Sequence, residues 1–132
     1  LLFLYHLPHQ FMANNKHILI AEDDQFLTDL YKLNLSHAGL EVTTVINGEE
    51  AIAAMDTEQP ALLLLDLLMP KVDGFGVLEH IQKKRYTFPV IVLSNLSEDV
   101  DAKRCHDLGA KEYFVKNNMD LEEMVKMIRK HI

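Results

Sequence analysis

Residues 62–78, LLLLDLLMPKVDGFGVL, decide the fold, because an uninterrupted apolar run stops at Asp66 and a turn-rich segment follows. A short apolar run without polar alternation is typical of a strand that is buried on both faces. Residues 18–24, ILIAEDD, and residues 90–95, VIVLSN, repeat the arrangement of an apolar run followed at once by polar side chains. These three runs indicate the central strands of a parallel sheet covered by helices on both sides.

Strand-like and helix-like segments alternate along the chain from Lys16 onwards. Five short segments have the composition of strands: His17–Ala21, Glu41–Val45, Ala61–Leu65, Pro89–Leu93 and Glu112–Val115. Five segments have apolar residues at helical spacing: Gln25–Ala38, Glu49–Met55, Phe75–Arg85, Glu98–Leu108 and Leu121–Ile132. Repeated strand–helix units in one small domain predict an α/β fold, a doubly wound (βα)5 flavodoxin-like domain. The parallel five-stranded sheet would have the order 2-1-3-4-5, with helices on both faces.

Several residues mark where these helices begin and end. Gly39 and Gly109 are stop signals after the first and fourth predicted helices. Ser97 is placed to cap the fourth helix. Asp120, with Glu123 three residues later, resembles a capping box at the start of the fifth.

The composition is that of one globular domain with an acidic surface. The chain has 132 residues, and 13 Lys and Arg against 20 Asp and Glu give a formal charge of −7. That balance argues against direct nucleic-acid binding, which requires a basic surface. The single cysteine, Cys105, excludes an internal disulfide and suits the reducing cytoplasm.

Residues 1–15, LLFLYHLPHQFMANN, differ from the rest because they contain no charged side chain. The segment is too short to span a bilayer and lacks the basic start of a secretory signal, so no membrane association is expected. Met12 resembles a natural start. We expect residues 1–15 to be an apolar leader or extension outside the fold, with residues 16–132 forming the domain. The alternative is an apolar arm that docks on this domain or on a neighbouring copy.

Polar side chains follow four of the predicted strands where the chain leaves the sheet. They are acids, a hydroxyl, an amide and an amine: Glu22, Asp23, Asp24, Asp66, Ser94, Asn95 and Lys116. Ligands of such sheets bind beyond the carboxyl ends of the strands where the strand order reverses, here between the first and third strands. Carboxylates held this close repel each other unless a hard cation, Mg2+ or Mn2+, neutralises them. A carboxylate beside such an ion can attack phosphorus and form an aspartyl phosphate.

Each of these side chains also has a purely structural interpretation. Asp23 and Asp24 could cap the following helix, and Asp66 or Ser94 could stabilise a turn. Lys116 alone could be a solvated surface residue. Their coincidence at one edge of the sheet favours the chemical interpretation.

The chain resembles the receiver domain of two-component response regulators, of the chemotaxis-regulator type, over essentially all of residues 16–132. The resemblance rests on residues 18–24, 62–78, 90–95 and 113–116, and above all on the pattern D-x-x-M-P-x-x-D-G that begins at Asp66. It implies a phosphorylation-dependent signalling switch in the cytoplasm rather than an enzyme. Such a domain would catalyse only its own phosphoryl transfer and slow self-dephosphorylation.

The resemblance also assigns the phosphoacceptor and the metal ligands. Asp66 would accept a phosphoryl group from a phosphohistidine of a sensor histidine kinase or a phosphotransfer protein. Asp23 would bind the metal directly, and Glu22 mainly through water. The backbone carbonyl of Leu68 would complete the ligands that the protein supplies, beside Asp66 itself.

Three further residues are assigned to the phosphoryl group and the switch. Lys116 would bind a phosphoryl oxygen, and Ser94 would be the hydroxyl that moves onto the phosphoryl group. Tyr113 would be the switch aromatic. The change would reach the 4-5-5 face, which we place on the fourth strand, the fourth helix and the fifth strand. That face would bind a downstream effector, an output domain or a second copy of the chain.

Two positions depart from the usual pattern of this family. Asn117 follows Lys116 where the family usually has a proline after a cis peptide bond, and Asn95 replaces a small residue after the switch hydroxyl. Neither change removes a group that the chemistry requires. The open alternative is a degenerate receiver that acts as a phosphorylation-independent protein-interaction module. A nucleotide hydrolase is disfavoured because the chain has no G-x-x-x-x-G-K-[ST] motif.

Overall fold

The computed structural model describes residues 16–96 and 98–132. The predictions for residues 1–15 and for Ser97 as a helix cap lie outside the described residues. The five strands are β1 (His17–Ala21), β2 (Glu41–Val45), β3 (Leu62–Asp66), β4 (Val90–Ser94) and β5 (Glu112–Val115). The helices are α1 (Gln25–His37), α2 (Gly48–Thr57), α3 (Gly74–Lys84), α4 (Asp99–Asp107) and α5 (Leu121–His131). No helix in this part of the chain is long and apolar enough to cross a membrane.

The strands form one parallel sheet in the order β2-β1-β3-β4-β5, which confirms the predicted α/β, flavodoxin-like topology. The order reverses between β1 and β3, where Ala21 pairs with Leu65. At the same edge, Ser94 of β4 pairs with Val115 of β5. The carboxyl ends of β1, β3, β4 and β5 therefore lie side by side.

Two hydrophobic cores lie on opposite faces of the sheet, because successive strand residues point to opposite sides. Leu63 and Leu65 pack on one face with buried residues of α2, α3 and α4. Leu62 and Leu64 pack on the other face with buried residues of α1 and α5. The run of leucines is thus shared between the two cores, which confirms the prediction of helices on both faces.

The observed boundaries differ from the predicted ones by a few residues at most. The polar residues Asp66 and Ser94 are the last residues of β3 and β4, since the ladder continues one residue beyond the apolar runs. Gly39 and Gly109 follow α1 and α4 with φ of 83° and 100°, a left-handed conformation that favours glycine. Arg85 was predicted inside the third helix, but its φ of 58° places it at the C-cap of α3.

The amino ends of α4 and α5 also differ in detail from the expectations. Glu98 is the N-cap residue of α4, with no side-chain capping bond. Asp120 caps α5 as predicted, but its carboxylate accepts the N–H of Glu122 at 2.9 Å rather than that of Glu123. The helix therefore begins at the expected place with a different bond.

Candidate functional site

Three carboxylates meet beyond the carboxyl ends of β1 and β3. Glu22 and Asp66 are 2% and 5% exposed, whereas Asp23 is open to solvent. One oxygen from each of the three carboxylates lies within 4.8 Å of the others. This is the group that the sequence predicted at the point where the strand order reverses.

Lys116 reaches this group from the end of β5. Its Nζ donates to Glu22 Oε1 and Oε2 at 2.7 and 2.9 Å and lies 3.2 Å from Asp66 Oδ2. The lysine begins a short 3-10 turn, Lys116–Asn118, and the Lys116–Asn117 peptide is trans. The asparagine that replaces proline is therefore accommodated without moving the ammonium away from the acids.

Burial and charge oppose each other at this site. Burial, together with the neighbouring Asp66, raises the pKa of Glu22 to about 8, although Lys116 acts in the opposite direction. Burial lowers the pKa of Lys116, but the adjacent Glu22 and Asp66 outweigh burial and raise it. Two buried carboxyl groups thus share a single ammonium, and a further cation bound beside them would favour their ionised forms.

The donor set fits a divalent ion of the Mg2+ type. Such ions prefer oxygen ligands and retain several waters, so one or two carboxylates with an open side are sufficient. Glu22 and Asp66 supply buried oxygens, and Asp23 faces the solvent through which an ion and its waters would enter. The acidic cluster is thus compatible with a magnesium site.

Asp24 lies next to this group but has a different role. Its Oδ1 accepts the N–H of Leu27 at 3.2 Å, which caps α1. Thr28, one residue further along the helix, donates its hydroxyl to the carbonyl of Glu22 at 3.4 Å. The acidic triplet therefore divides into two residues that face the site and one that starts the helix.

The loop after β3 fixes the orientation of Asp66. The N–H of Leu68 donates to Asp66 Oδ1 at 3.3 Å, while the Leu68 side chain is 56% exposed. Gly74 donates its N–H to the carbonyl of Leu67 at 2.9 Å. A Cβ atom on Gly74 would lie 2.6 Å from the Asp66 carbonyl oxygen, which explains the need for glycine. The loop thus closes tightly behind the acid.

Ser94 and Tyr113 both bond the backbone of Leu96, in the loop that leads from β4 to α4. Ser94 is fully buried, and its hydroxyl accepts the N–H of Leu96 at 3.1 Å. The hydroxyl of Tyr113, which is half-buried, donates to the carbonyl of Leu96 at 2.6 Å. Burial raises the pKa of Tyr113. Asn95, which lies between Ser94 and Leu96 in the chain, is exposed.

Two features of the site were not predicted from the sequence. The direct bond between Lys116 and Glu22 joins residues 94 positions apart in the chain. The second feature is the hydrogen bond from the Tyr113 hydroxyl to the backbone carbonyl of Leu96, which no pattern of side chains indicates. The only available signals were the acidic end of the first predicted strand and the strand-end position of the lysine.

Comparison with known proteins agrees with this geometry. Residues 18–129 match the profile of the response regulator receiver domain. The chain is 35% identical over 102 residues to the alkaline phosphatase synthesis transcriptional regulatory protein PhoP of Bacillus subtilis, covering 77% of this chain and 42% of PhoP. It is 38% identical over 114 residues to the DNA-binding dual master transcriptional regulator RpaA of Synechocystis, covering 85% of this chain and 47% of RpaA.

The chain thus spans less than half the length of these two relatives. A likeness in fold is found with the receiver domain of the Francisella response regulator 1452. The TM-score is 0.83 at 24% identity, covering 87% of this chain and 94% of that one. The profile match over most of the chain agrees with the sheet order and with the acidic cluster. The chain belongs to the family of response regulator receiver domains, which are signalling proteins.

Proposed function

We propose that this domain is a phosphorylation-dependent switch that accepts a phosphoryl group on Asp66. The observation that carries the proposal is the placement of Asp66. It is 5% exposed, it belongs to a three-carboxylate group, and the Lys116 ammonium lies 3.2 Å from its Oδ2. A nucleophile, a cation and a candidate metal site are thus together at one edge of the sheet.

In the proposed reaction, a carboxylate oxygen of Asp66 forms a bond to phosphorus as the bond from phosphorus to a phosphohistidine nitrogen breaks. Glu22, Asp23, Asp66 and the Leu68 carbonyl would hold Mg2+ or Mn2+, which neutralises charge on the phosphoryl oxygens. Lys116 would bind one phosphoryl oxygen. Its preorganised charge lowers the barrier because it needs no reorientation during the reaction.

The proposed switch passes through the loop that Ser94 and Tyr113 share. A hydroxyl that turns from the N–H of Leu96 towards the phosphoryl group would loosen the loop, and Tyr113 holds that loop through the Leu96 carbonyl. The 4-5-5 face, which includes β4, α4 and β5, would then change its affinity for a partner. The proposed partners are a sensor histidine kinase or phosphotransfer protein and a downstream effector, output domain or second copy, all in the cytoplasm.

A small phosphodonor tests the proposal without knowledge of the kinase. Incubation with acetyl phosphate and Mg2+ should add the mass of one phosphate to the intact protein, and chelation of the metal with EDTA should prevent the gain. The alternative is a degenerate receiver that binds partners without phosphorylation. A mass that does not change with acetyl phosphate or other small phosphodonors would favour that alternative.

Metal affinity should depend on Asp23 far more than on Asp24. We expect Mg2+ to bind in the tens of micromolar to millimolar range, as for a few carboxylates with retained waters. Asp23→Asn removes an oxygen of the acidic cluster, whereas Asp24→Asn keeps a good helix cap. Isothermal titration should show affinity weakened about tenfold in the first variant and by less than about twofold in the second. The reverse ranking would contradict the assignment.

Self-dephosphorylation should be slow, because leucines occupy the approach to the phosphoryl group. Leu68 is 56% exposed beside Asp66, and Leu96 is half-buried against the core. Neither side chain can orient a water by hydrogen bonding. A Leu68→Asn, Leu96→Glu double variant should lose its phosphate about tenfold faster, which corresponds to about 1.4 kcal/mol of barrier.

The decay of phosphorylated protein after removal of the donor measures this effect. Leu33→Asn, at a similarly exposed leucine on α1, serves as the control and should decay at the parent rate. A double variant that decays no faster than the parent would show that the leucines do not shield the phosphoryl group.

A further inference from the structure

Helix α4 buries little of its surface against the rest of the domain. Cys105 is the buried residue of this helix, and Val100 in its first turn is 71% exposed. The N-cap residue Glu98 makes no side-chain capping bond. A helix with one buried residue and no side-chain cap has little local stability. Its position must depend on contacts with its neighbours.

Arg104 supplies such a contact to α3. Its guanidinium carbon lies 4.0 Å from the centroid of the Phe75 ring, within the range of a cation–π interaction. A guanidinium nitrogen of Arg104 lies 3.7 Å from a carboxylate oxygen of Glu79, one turn further along α3. Phe75 is 9% exposed, so its ring has a fixed position in the core beneath the charge.

Phe75 lies next in the chain to Gly74, which packs against the backbone of Asp66. It follows Gly74, whose backbone donates to Leu67 and has no room for a Cβ atom against the Asp66 carbonyl. Asp73 caps the helix at this point by accepting the N–H of Gly76 at 2.9 Å. The first turn of α3 is therefore fixed to the loop that carries Asp66, and Arg104 connects α4 to that turn.

We propose that Arg104 is a positioning residue that holds α4 against the first turn of α3 and so sets how readily α4 moves when Asp66 is phosphorylated. The statement about the position of α4 stands on the contacts themselves. The statement about phosphorylation rests on the proposed function. Because a guanidinium stays protonated over the accessible pH range, Arg104 keeps the positive charge that the contact with the Phe75 ring requires.

Amide hydrogen exchange of the protein without phosphodonor tests the first statement. Arg104→Gln should speed exchange of the α4 amides by roughly three- to tenfold, the combined effect of an exposed cation–π contact and a weak ion pair. Lys103→Gln is the matched control, because Lys103 pairs with Asp107 of the same helix at 2.9 Å. That control should change exchange by no more than about twofold.

Two further variants distinguish the contribution of the Phe75 contact from that of the Glu79 contact. Glu79→Gln should give a smaller effect than Arg104→Gln, because it leaves the ring contact in place. In a Phe75→Leu background, Arg104→Gln should have little additional effect on α4 exchange, since its principal partner is already gone. Equal exchange in Arg104→Gln and the parent, or an undiminished effect in the Phe75→Leu background, would overturn the proposal.

The ring resonances of Tyr113 provide a readout that simple destabilisation does not move. In Arg104→Gln they should shift towards their position in the acetyl phosphate-treated parent, while those of Tyr31 in the opposite core stay fixed. Tyr113 resonances that do not move in Arg104→Gln would show that Arg104 has no effect on the switch. A parent that takes up no phosphate would refute the proposed function and the regulatory statement, while the exchange result would still decide the link between α4 and α3.

Discussion

Asp66→Asn protein incubated with acetyl phosphate and Mg2+ should gain no phosphate, whereas the parent should gain one. An amide is not a nucleophile towards phosphorus under these conditions, so the loss should be complete rather than partial. The substitution keeps the oxygen that accepts the Leu68 N–H at 3.3 Å. It also removes one of two neighbouring buried acids, so the fold should not be weakened.

Intact-mass measurement after a fixed incubation decides this prediction. Asp24→Asn is the control, because its carboxylate caps α1 and does not belong to the acidic cluster. That control should gain the same mass as the parent. An undiminished gain in Asp66→Asn would show that another residue accepts the phosphoryl group.

Much of this site could be predicted because parallel strands bring the residues at their carboxyl ends to one edge. The apolar runs that end at Glu22, Asp66 and Ser94 therefore placed three side chains together without any knowledge of the loops. The exact ends of the strands were missed because the sheet ladder continues through a polar residue, as at Asp66 and Ser94. Apolar side chains indicate which residues are buried, whereas the hydrogen bonds of the sheet are made by the backbone and do not require an apolar side chain.

Contacts between residues distant in sequence could not be predicted in the same way. His80 and Tyr86 both bond the Asp56 carboxylate and so join α2 to α3, and nothing in their spacing indicates this. Arg85 ends α3 in a left-handed conformation although glycine is the usual signal for such a turn. These features depend on how helices pack, which local patterns do not record.

The bond from Lys116 to Glu22 changes what the lysine is expected to do. The family resemblance assigns it to a phosphoryl oxygen alone, but the structure gives it two bonds to Glu22 and a contact with Asp66. The ammonium therefore lies against two buried acidic side chains, in addition to the role proposed for it in the reaction. A substitution at Lys116 has to separate these two roles.

Lys116→Met should slow phosphorylation by acetyl phosphate by about a hundredfold, the cost of removing one preorganised charge from a buried site. It should also lower the free energy of unfolding by about 3 kcal/mol, since Glu22 and Asp66 lose their cation. Methionine nearly matches the length of the lysine chain, so both losses come from the charge. Initial rates of mass gain and urea unfolding measure the two effects. Lys111→Met, at an exposed lysine before β5, should leave both unchanged.

The double variant Glu22→Gln, Lys116→Met separates chemistry from stability. Replacing the buried acid by an amide removes the unpaired charge, so much of the lost unfolding free energy should return, as it does when both partners of a buried pair become neutral. Phosphorylation should stay slow, because neither glutamine nor methionine can neutralise a phosphoryl oxygen. If the double variant regained the parent rate, Lys116 would serve only to balance Glu22. If it regained stability but stayed slower than Glu22→Gln alone, in which the same proposed metal ligand is changed and Lys116 is kept, the ammonium would act on the reaction itself.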